Sequence, residues 1–253
     1  MPPERALPGT LTPDWRAGPH VGALMSTRVG GVSTGAFASL NLGLSAGDAR
    51  PAVDENRRRF AAALGARPVW MSQVHGTRVL RLPLEEDQAL VGADAAITTQ
   101  PGIACTVMVA DCLPVLFAAP GDRGVGAAHA GWRGLASGVL EATIEALCEA
   151  ATCAPSELHA WFGPCIGPRQ FEVGADVAEA FGGGSHFVAR PRPDGAVRWL
   201  ADLPGLARER LGDLGLTLVS GDGACTVEER SRFFSFRRDG TTGRMAAAVW
   251  LRR

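Results

Sequence analysis

Glycine and proline interrupt this chain too often for long helices or long strands to form. The sequence has 32 glycines and 17 prolines among its 253 residues. Glycine weakens the interior of either element, and proline lacks the N–H that both need, so the apolar segments between them are short. Most of those segments have the length of a strand rather than of a helix. We therefore predict an α+β fold, with mixed β-sheets and helices packed outside them.

The centre of the chain holds the clearest apolar segments. They predict three buried strands, at residues 103–109, 115–119 and 125–129. The spacing of apolar residues over 135–150 predicts the best-defined helix, although Gly138 weakens it by about 1 kcal/mol relative to alanine.

Nearer the ends of the chain, the pattern predicts a further helix and a hairpin. Residues 48–64 carry an apolar stripe at helical spacing. A glycine-containing turn separates residues 232–237 from residues 244–251, which predicts a β-hairpin. No repeat or linker divides the chain, so we expect one domain over residues 1–253, with residues 1–20 as a loose lead-in.

The ionisable residues exclude several kinds of chemistry. The chain has no tyrosine and no lysine, so all 25 of its basic residues are arginines. A Walker-type phosphate loop and Schiff-base chemistry both require lysine, and both are therefore excluded. Acid–base catalysis is left to histidine, cysteine, aspartate, glutamate or a metal ion.

Charge, apolar runs and cysteine spacing together indicate the kind of environment in which the protein works. A formal net charge of -1, with 20% charged residues, argues against nucleic-acid binding driven by bulk charge. No apolar stretch approaches the roughly 20 residues that a membrane span requires, and the first residues do not resemble a signal peptide. The six cysteines are scattered without a paired spacing, as is typical of reduced thiols. We expect a cytoplasmic protein without membrane or nucleic-acid partners.

One segment brings a cysteine and a histidine together by local geometry. Cys112 lies just before the predicted strand 115–119, and His129 ends the predicted strand 125–129. If these strands pair antiparallel about a turn near residue 122, His129 lies opposite residue 114 or 115, and Cys112 lies at the same edge of the sheet. Thiolate and imidazole are the pair of ligands that zinc prefers.

His75 is the best candidate for a third ligand. It lies where a polar kink interrupts the strand-like segment 69–82. Three protein ligands and one open position form the arrangement of a catalytic zinc site. Spacing does not bring His75 to Cys112, and that step depends on the topology of the fold. The residues alone leave open that His75 is a hydrogen-bonded turn residue and that Cys112 is a buried thiol.

Three motifs resemble a known bacterial family. They are QVHG at 73–76, ADCLP at 110–114 and HAGWRG at 129–134. They resemble the multicopper polyphenol oxidase, or laccase-domain, family, also called the peptidoglycan editing factor family, whose members have been reassigned as zinc-dependent purine nucleoside phosphorylases. Further blocks extend the resemblance over nearly the whole chain: STRVGGVS at 26–33, SLNLG at 39–43, Asn56-Arg57, GPCIG at 163–167, FSFRRDG at 234–240 and TGR at 242–244.

The resemblance implies a metal site and an activity. His75, Cys112 and His129 match the metal ligands of the family, which implies Zn²⁺, with Cu²⁺ as the alternative. The implied reaction is phosphorolysis of adenosine, inosine, guanosine and methylthioadenosine, with adenosine deamination as a further activity. The implied partners are a purine nucleoside and phosphate, and the implied fold resembles that of certain Cys/His toxin enzymes. We expect the chain to act as a monomer.

Phosphate recognition must depend on arginine and on backbone N–H groups, because the chain has no lysine. The glycine-rich segment 28–35 could cradle phosphate. We expect Arg28, Asn41 and then Arg133 in the pocket, with a surface or loop-anchoring role as the alternative for each. Asp111 is a candidate proton shuttle for deamination, and its alternative is a hydrogen bond that orients the ligands.

Three other functions remain as alternatives. Cys112 and His129 could serve as nucleophile and base of a metal-free amidase or deamidase. A copper-dependent phenol oxidase fits less well, because the copper sites of true laccases need many more than the five histidines of this chain. The third alternative is a non-enzymatic role in correcting cell-wall synthesis.

Overall fold

The computed structural model describes residues 7–84, 92–193, 195–221 and 223–253. The strands in these ranges are β1 Val21–Met25, β2 Arg67–Trp70, β3 Val79–Leu82, β4 Ala95–Thr98, β5 Ile103–Val109, β6 Leu113–Ala118, β7 Val125–Ala130, β8 His159–Phe162, β9 Glu172–Val173, β10 Phe187–Pro191, β11 Val197–Ala201, β12 Leu218–Ser220 and β13 Met245–Leu251. The α-helices are α1 Arg50–Leu64, α2 Trp132–Ser137, α3 Val139–Ala151, α4 Ala175–Ala180, α5 Leu203–Asp213 and α6 Phe236–Asp239.

The strands form three sheets. One sheet has four strands in the order β1-β13-β5-β2, and a larger sheet has six in the order β12-β8-β6-β7-β4-β3. The third sheet is small and antiparallel, in the order β10-β11-β9. In the two large sheets β2 pairs with β5, β3 with β4 and β12 with β8 in parallel, whereas the other pairs are antiparallel. The predicted α+β class with mixed sheets is confirmed.

The four-stranded sheet packs on the six-stranded sheet, and helices cover the outer faces. Strand β5 shows the alternation that this arrangement requires. Cys105 and Val107 belong to the apolar core between the two sheets. Ala104 and Met108 belong to a separate core on the opposite face, where Phe60 of α1 is fully buried.

Strand β6 is buried on both faces and forms a rigid support for what lies at its ends. Val115 and Phe117 pack with Leu140 and Leu147 of α3, whereas Leu116 faces the core between the sheets. All five side chains are fully buried, and burial of each contributes about 1.5–3 kcal/mol relative to exposure. A residue next to either end of β6 is therefore held in a fixed position.

The predicted central hairpin is confirmed. Strands β6 and β7 pair antiparallel, and their register places Pro114 opposite His129. Strand β4 pairs with the other side of β7, with Ala95 opposite Ala128. Strand β7 is thus enclosed by hydrogen-bonded neighbours on both sides.

The predicted helices are present, with one interruption. The helix predicted over 48–64 is confirmed as α1, which begins at Arg50 with a proline in its first turn. The helix predicted over 135–150 is instead two helices, α2 and α3, which meet at Gly138. This glycine has φ 98°, a left-handed conformation that ends α2 and that other residues rarely adopt. Within the described ranges, no helix is both long and apolar enough to cross a membrane.

The hairpin predicted over residues 232–237 and 244–251 is wrong. Residues Phe236–Asp239 form helix α6, because the Ser235 side chain accepts a hydrogen bond from the Arg238 N–H and caps the helix. Strand β13 pairs with β1 and β5, which are distant in the sequence.

The lead-in predicted at residues 1–20 is described from residue 7 onward, and residues 1–6 lie outside the described ranges. Leu7 is buried in the core beside α1. Leu11 forms an antiparallel bridge with Met25 at the end of β1. The described part of the lead-in is therefore held against the four-stranded sheet.

Candidate metal centre and cavity

The central hairpin positions Cys112 and His129. Cys112 immediately precedes β6, and His129 is the next-to-last residue of β7. Because Pro114 lies opposite His129, both side chains lie at one edge of the six-stranded sheet. The imidazole of His129 is almost completely buried, whereas Cys112 is partly exposed. The structure thus brings together the two residues that the hairpin geometry predicts to be neighbours.

His75 reaches the same place from the loop between β2 and β3. Its backbone has φ 60°, which is uncommon for a residue other than glycine. Its Nε2 atom lies 3.8 Å from the Sγ atom of Cys112, and its ring centroid lies 4.8 Å from that of His129. The candidate ligand atoms of all three residues lie within 4.8 Å of one another. We call His75, Cys112 and His129 the ligand group.

Asp94 holds both histidines of the ligand group. It is fully buried between β3 and β4 and has no exposed surface. Its Oδ1 atom accepts hydrogen bonds from Nδ1 of His129 at 2.8 Å and from the backbone N–H of His75 at 2.9 Å. Its Oδ2 atom accepts from the backbone N–H groups of Val74 at 3.0 Å and Gly76 at 2.8 Å. One carboxylate therefore fixes the tautomer of His129 and the conformation of the His75 loop.

The surroundings of the ligand group fit a metal ion. Gly131 lies beside it, and a Cβ atom there would come within 2.7 Å of His75 Cδ2 and 3.0 Å of Cys112 Sγ. Glycine thus leaves the three donors room to approach one centre. Two imidazoles and a thiolate are the donors of borderline-soft ions such as Zn²⁺. With Nδ1 of His129 engaged by Asp94, its Nε2 is the nitrogen free to bind a metal.

The ligand group is charged before it binds a metal. Burial raises the pKa of the Cys112 thiol, but the charge and hydrogen bonds of His129 and His75 outweigh burial and lower this pKa to about 6. Burial lowers the pKa of His129, but the Cys112 thiolate and Asp94 outweigh it and raise this pKa to about 9. Near neutral pH the pair is therefore thiolate and imidazolium, and a metal would replace the imidazolium proton.

The ligand group forms part of the wall of a cavity of about 790 Å³. Aromatic side chains and four arginines share this wall. The aromatic residues are Trp70, Trp132, Phe171 and Phe236, and the arginines are Arg57, Arg133, Arg237 and Arg244. A volume of this size suits a small organic molecule, and cationic side chains next to aromatic walls suit one that carries or approaches an anion.

The structure brings only some of the sequence-predicted binding residues to this cavity. Arg133 lines it, with its guanidinium 4.4 Å from the ring centroid of Trp132. Arg28 does not line it; its guanidinium donates to the carbonyls of Ala38 and Arg230. Asn41 is fully buried behind the wall and does not line it either.

Asp111 lines the cavity beside Cys112, with both carboxylate oxygens engaged. One oxygen accepts a hydrogen bond from the Thr226 hydroxyl at 2.6 Å, and the other from the Arg237 N–H at 2.6 Å. These bonds join the segment before β6 to the loop that holds Thr226 and to the first turn of α6. They favour the interpretation in which Asp111 orients its neighbours over the one in which it moves protons.

Sequence reasoning missed Asp94 and three of the cavity arginines. Asp94 has a recognisable signal, because it is a single carboxylate between alanines at the start of the apolar strand β4. Arg57, Arg237 and Arg244 lie in blocks that resemble the family, but no pattern in the residues themselves marks them as cavity residues, and only the tertiary fold turns each of them toward the cavity.

Comparison with known sequences relates this chain to one family. The profile of the family described as "Multi-copper polyphenol oxidoreductase laccase" matches residues 22–252. The chain is 48% identical over 246 residues to a purine nucleoside phosphorylase of Pseudomonas aeruginosa, with 95% of this chain and 98% of that protein covered. It is 46% identical over 243 residues to the purine nucleoside phosphorylase YfiH of Escherichia coli K12, with the same coverage.

Solved structures give the same relationship. A crystal structure from Neisseria meningitidis matches with a TM-score of 0.86 and 44% identity, covering 97% of this chain and 100% of that one. YlmD from Geobacillus stearothermophilus matches with a TM-score of 0.83 and 34% identity, with 93% of each chain covered.

Proposed function

This chain belongs to the multi-copper polyphenol oxidoreductase laccase family, and we propose that it is a purine nucleoside phosphorylase with one metal ion at the ligand group. The names of its relatives support the reaction, since they are close in sequence over almost their full length. We propose adenosine, inosine, guanosine and methylthioadenosine as its substrates together with phosphate. Adenosine deamination is proposed as a side activity of the same site.

The observation that carries this proposal is the composition of the cavity. His75, Cys112 and His129 share one wall with four arginines and four aromatic rings. Aromatic rings provide flat apolar surfaces on which a purine can stack. Guanidinium groups hold phosphate through parallel N–H donors. The cavity thus combines the groups that both substrates of a phosphorolysis need.

The ligand group would hold zinc, which is the ion that two histidines and a cysteine prefer. When bound, such an ion supplies Lewis-acid stabilisation of the negative charge that develops in the reaction. Asp94 keeps Nδ1 of His129 engaged, so that the other ring nitrogen is available to the ion.

The chain's own residues have two tasks in the reaction. A phosphate oxygen forms a bond to the anomeric carbon of the ribose, and the bond from that carbon to the purine nitrogen breaks, with both electrons going to the purine. Arginines of the cavity hold the phosphate beside the ribose, and Arg133, fixed over Trp132 next to the ligand group, is one candidate. The aromatic residues of the wall provide apolar surface against which a bound nucleoside would displace water, which would otherwise compete with phosphate for the anomeric carbon.

The free thiols fit a reducing compartment. All six cysteines are free, and none of them lies in a disulfide. We therefore propose that the reaction takes place in the cytoplasm, where thiols are kept reduced. We also propose that the protein acts as a monomer.

The deciding experiment measures adenine release from adenosine by zinc-loaded protein, with and without phosphate. We expect release only with phosphate, and equal amounts of adenine and ribose 1-phosphate. The variant Cys112→Ala should lose both zinc and activity, whereas Cys148→Ala, at a partly exposed cysteine of α3, should keep both.

Each alternative function predicts a different result. Full activity of metal-free protein would support the metal-free Cys/His amidase or deamidase, and so would release of ammonia or an amine from an amide substrate by that protein. Phenol oxidation by copper-loaded protein that cannot release adenine would support the oxidase. Rescue of a cell-wall defect by His75→Ala would support the non-enzymatic role.

A further inference from the structure

Two cavity arginines, Arg57 and Arg244, are held in place by hydrogen bonds to one short backbone segment or its neighbours, whereas Arg133 has no such bond to the described residues. On the basis of the proposed phosphorolysis, we propose that Arg57 and Arg244 form the phosphate-binding subsite, and that Asn41 is the residue that positions them.

Arg57 is fixed by contacts that leave part of its guanidinium free. It projects from α1, and its Nε donates to the carbonyl oxygen of Leu42 at 2.9 Å. Its guanidinium carbon lies 4.1 Å from the ring centroid of Trp70, which also lines the cavity. One terminal nitrogen lies 3.6 Å from the sulfur of Met108. A thioether is a weak acceptor, so this group keeps donor capacity for an anion.

Arg244 is fixed in a similar way just before β13. One terminal nitrogen donates to the carbonyls of Thr242 at 2.9 Å and Gly243 at 3.0 Å. Its backbone N–H donates to the side-chain oxygen of Asn41 at 2.9 Å. Its guanidinium carbon lies 5.8 Å from the ring centroid of Phe236. One terminal nitrogen of the side chain is thus engaged by backbone carbonyls, and the residue lines the cavity.

A single short segment, Asn41 to Gly43, joins the two arginines. The Leu42 carbonyl accepts from Arg57, and the Leu42 N–H donates to the carbonyl of Arg244 at 3.0 Å. The same Asn41 oxygen that accepts from Arg244 also accepts from the Gly43 N–H at 2.9 Å. A Cβ atom on Gly43 would come within 2.6 Å of Arg244 Cγ, so the arginine lies directly against this segment. The two guanidinium groups therefore have a fixed relation.

Neither guanidinium has a carboxylate partner. Among the described residues, no acidic oxygen lies within ion-pair distance of Arg57 or Arg244. Both side chains are partly buried, and burial lowers the pKa of Arg57 to about 10 and also lowers that of Arg244. Burial of a cation without a partner is unfavourable, and an anion in the cavity would compensate it.

The geometry favours phosphate as that anion. Two guanidinium groups match the double charge of phosphate, and each can donate more than one hydrogen bond to its oxygens. Arg244 lines the same cavity as Asp111 and Cys112, so the subsite shares this cavity with the ligand group. Phosphate held here would lie next to the metal and to a nucleoside bound in the same cavity.

The test compares Arg57→Gln, Arg244→Gln and Asn41→Ala with the control Arg58→Gln. Arg58 belongs to the same helix but is exposed and paired with Glu55. Using zinc-loaded protein, we would measure the KM for phosphate and for inosine, and we would measure binding of inorganic phosphate by calorimetry. Arg57→Lys and Arg244→Lys serve as second variants, because they keep the charge and much of the packing.

We expect each Gln variant to raise the KM for phosphate and weaken calorimetric phosphate binding by roughly 10- to 100-fold. The KM for inosine should stay within about threefold, and Asn41→Ala should raise the KM for phosphate without a comparable change in kcat. The Lys variants should recover part of the loss, since they restore charge without the fork of donors. Arg58→Gln should resemble the original protein.

Unchanged phosphate affinity in both Gln variants would overturn the assignment, and so would a loss confined to Arg133→Gln or to removal of zinc. These results would leave the proposed phosphorolysis intact. Conversely, calorimetric phosphate binding that depends on Arg57 and Arg244 would support the subsite even if adenosine were not phosphorolysed.

Discussion

Replacing Asp94 with asparagine should weaken zinc binding without removing any ligand. The carboxylate accepts four hydrogen bonds, two of them from groups of His75 and His129. Asparagine has nearly the same shape but only one acceptor oxygen. If that oxygen remains with His129 and the His75 N–H, the new NH₂ group faces the N–H groups of Val74 and Gly76.

The size of the effect follows from these contacts. A buried N–H left without an acceptor costs about 1–3 kcal/mol, and these two N–H groups are only partly buried, so the loop that carries His75 loses at most about 2–6 kcal/mol of local stability. The bond to His129 also loses its ionic character, which makes the imidazole a weaker ligand. We expect zinc affinity to fall roughly 10- to 100-fold, or about 1.4–2.8 kcal/mol.

Zinc affinity is measured by competition with a coloured chelator, and folding by urea denaturation of the metal-free protein. The control is Asp176→Asn, the same substitution at an exposed residue in the first turn of α4, which should bind zinc normally. A folded Asp94→Asn protein with zinc affinity within twofold of the original would refute the reasoning, because Asp94 would then stabilise the loop without affecting the ligands.

Three further predictions concern the same region. In metal-free protein, iodoacetamide should alkylate Cys112 first, and the rate should rise through a midpoint near pH 6 as the Cys112 thiol deprotonates. Cys105 and Cys165 should react slowly, because burial raises the pKa of both thiols. Peptide mass spectrometry would identify the alkylated cysteine, and bound zinc should protect Cys112. Gly131→Ala should weaken zinc binding at least about tenfold, because its Cβ would lie 2.7 Å from His75 and 3.0 Å from Cys112. The matched control is Gly212→Ala on α5, where an added Cβ meets open space. Equal zinc affinities of the two variants would contradict the prediction. Asp111→Asn should lower phosphorolysis and deamination by the same factor, because its oxygens bind Thr226 and Arg237; a selective loss of ammonia release, measured beside adenine release, would instead support proton transfer by Asp111.

The sequence predicts best those parts of the site that form locally. Cys112 and His129 could be paired because one turn sets the register of β6 against β7, and that register is observed with Pro114 opposite His129. His75 lies on a loop between strands of different sheets, and no spacing rule connects it to Cys112. Only the resemblance to a family indicated that it belongs to the same group.

The wrong hairpin and the missed cavity arginines both depend on contacts that local sequence patterns do not show. Residues 232–237 include three phenylalanines, a residue common in strands, but the hydroxyl of Ser235 caps a helix there. Strand β13 instead pairs with β1 and β5, which are distant in the sequence. A guanidinium ordinarily faces solvent, so the residue types of Arg57 and Arg244 do not by themselves indicate that the two share a cavity. Their common position in the cavity depends on Leu42, which contacts both and is near neither in sequence.

The position of β13 has a consequence for how the protein is made. This strand lies between β1 and β5 in the middle of its sheet, yet it is the last strand that the ribosome synthesises among those described. Until residues 245–251 have emerged, β1 and β5 have no common neighbour, and Arg244 cannot meet Asn41. The nascent chain must therefore keep two apolar strand edges unpaired during most of its translation, a period in which chaperone binding would protect it from aggregation.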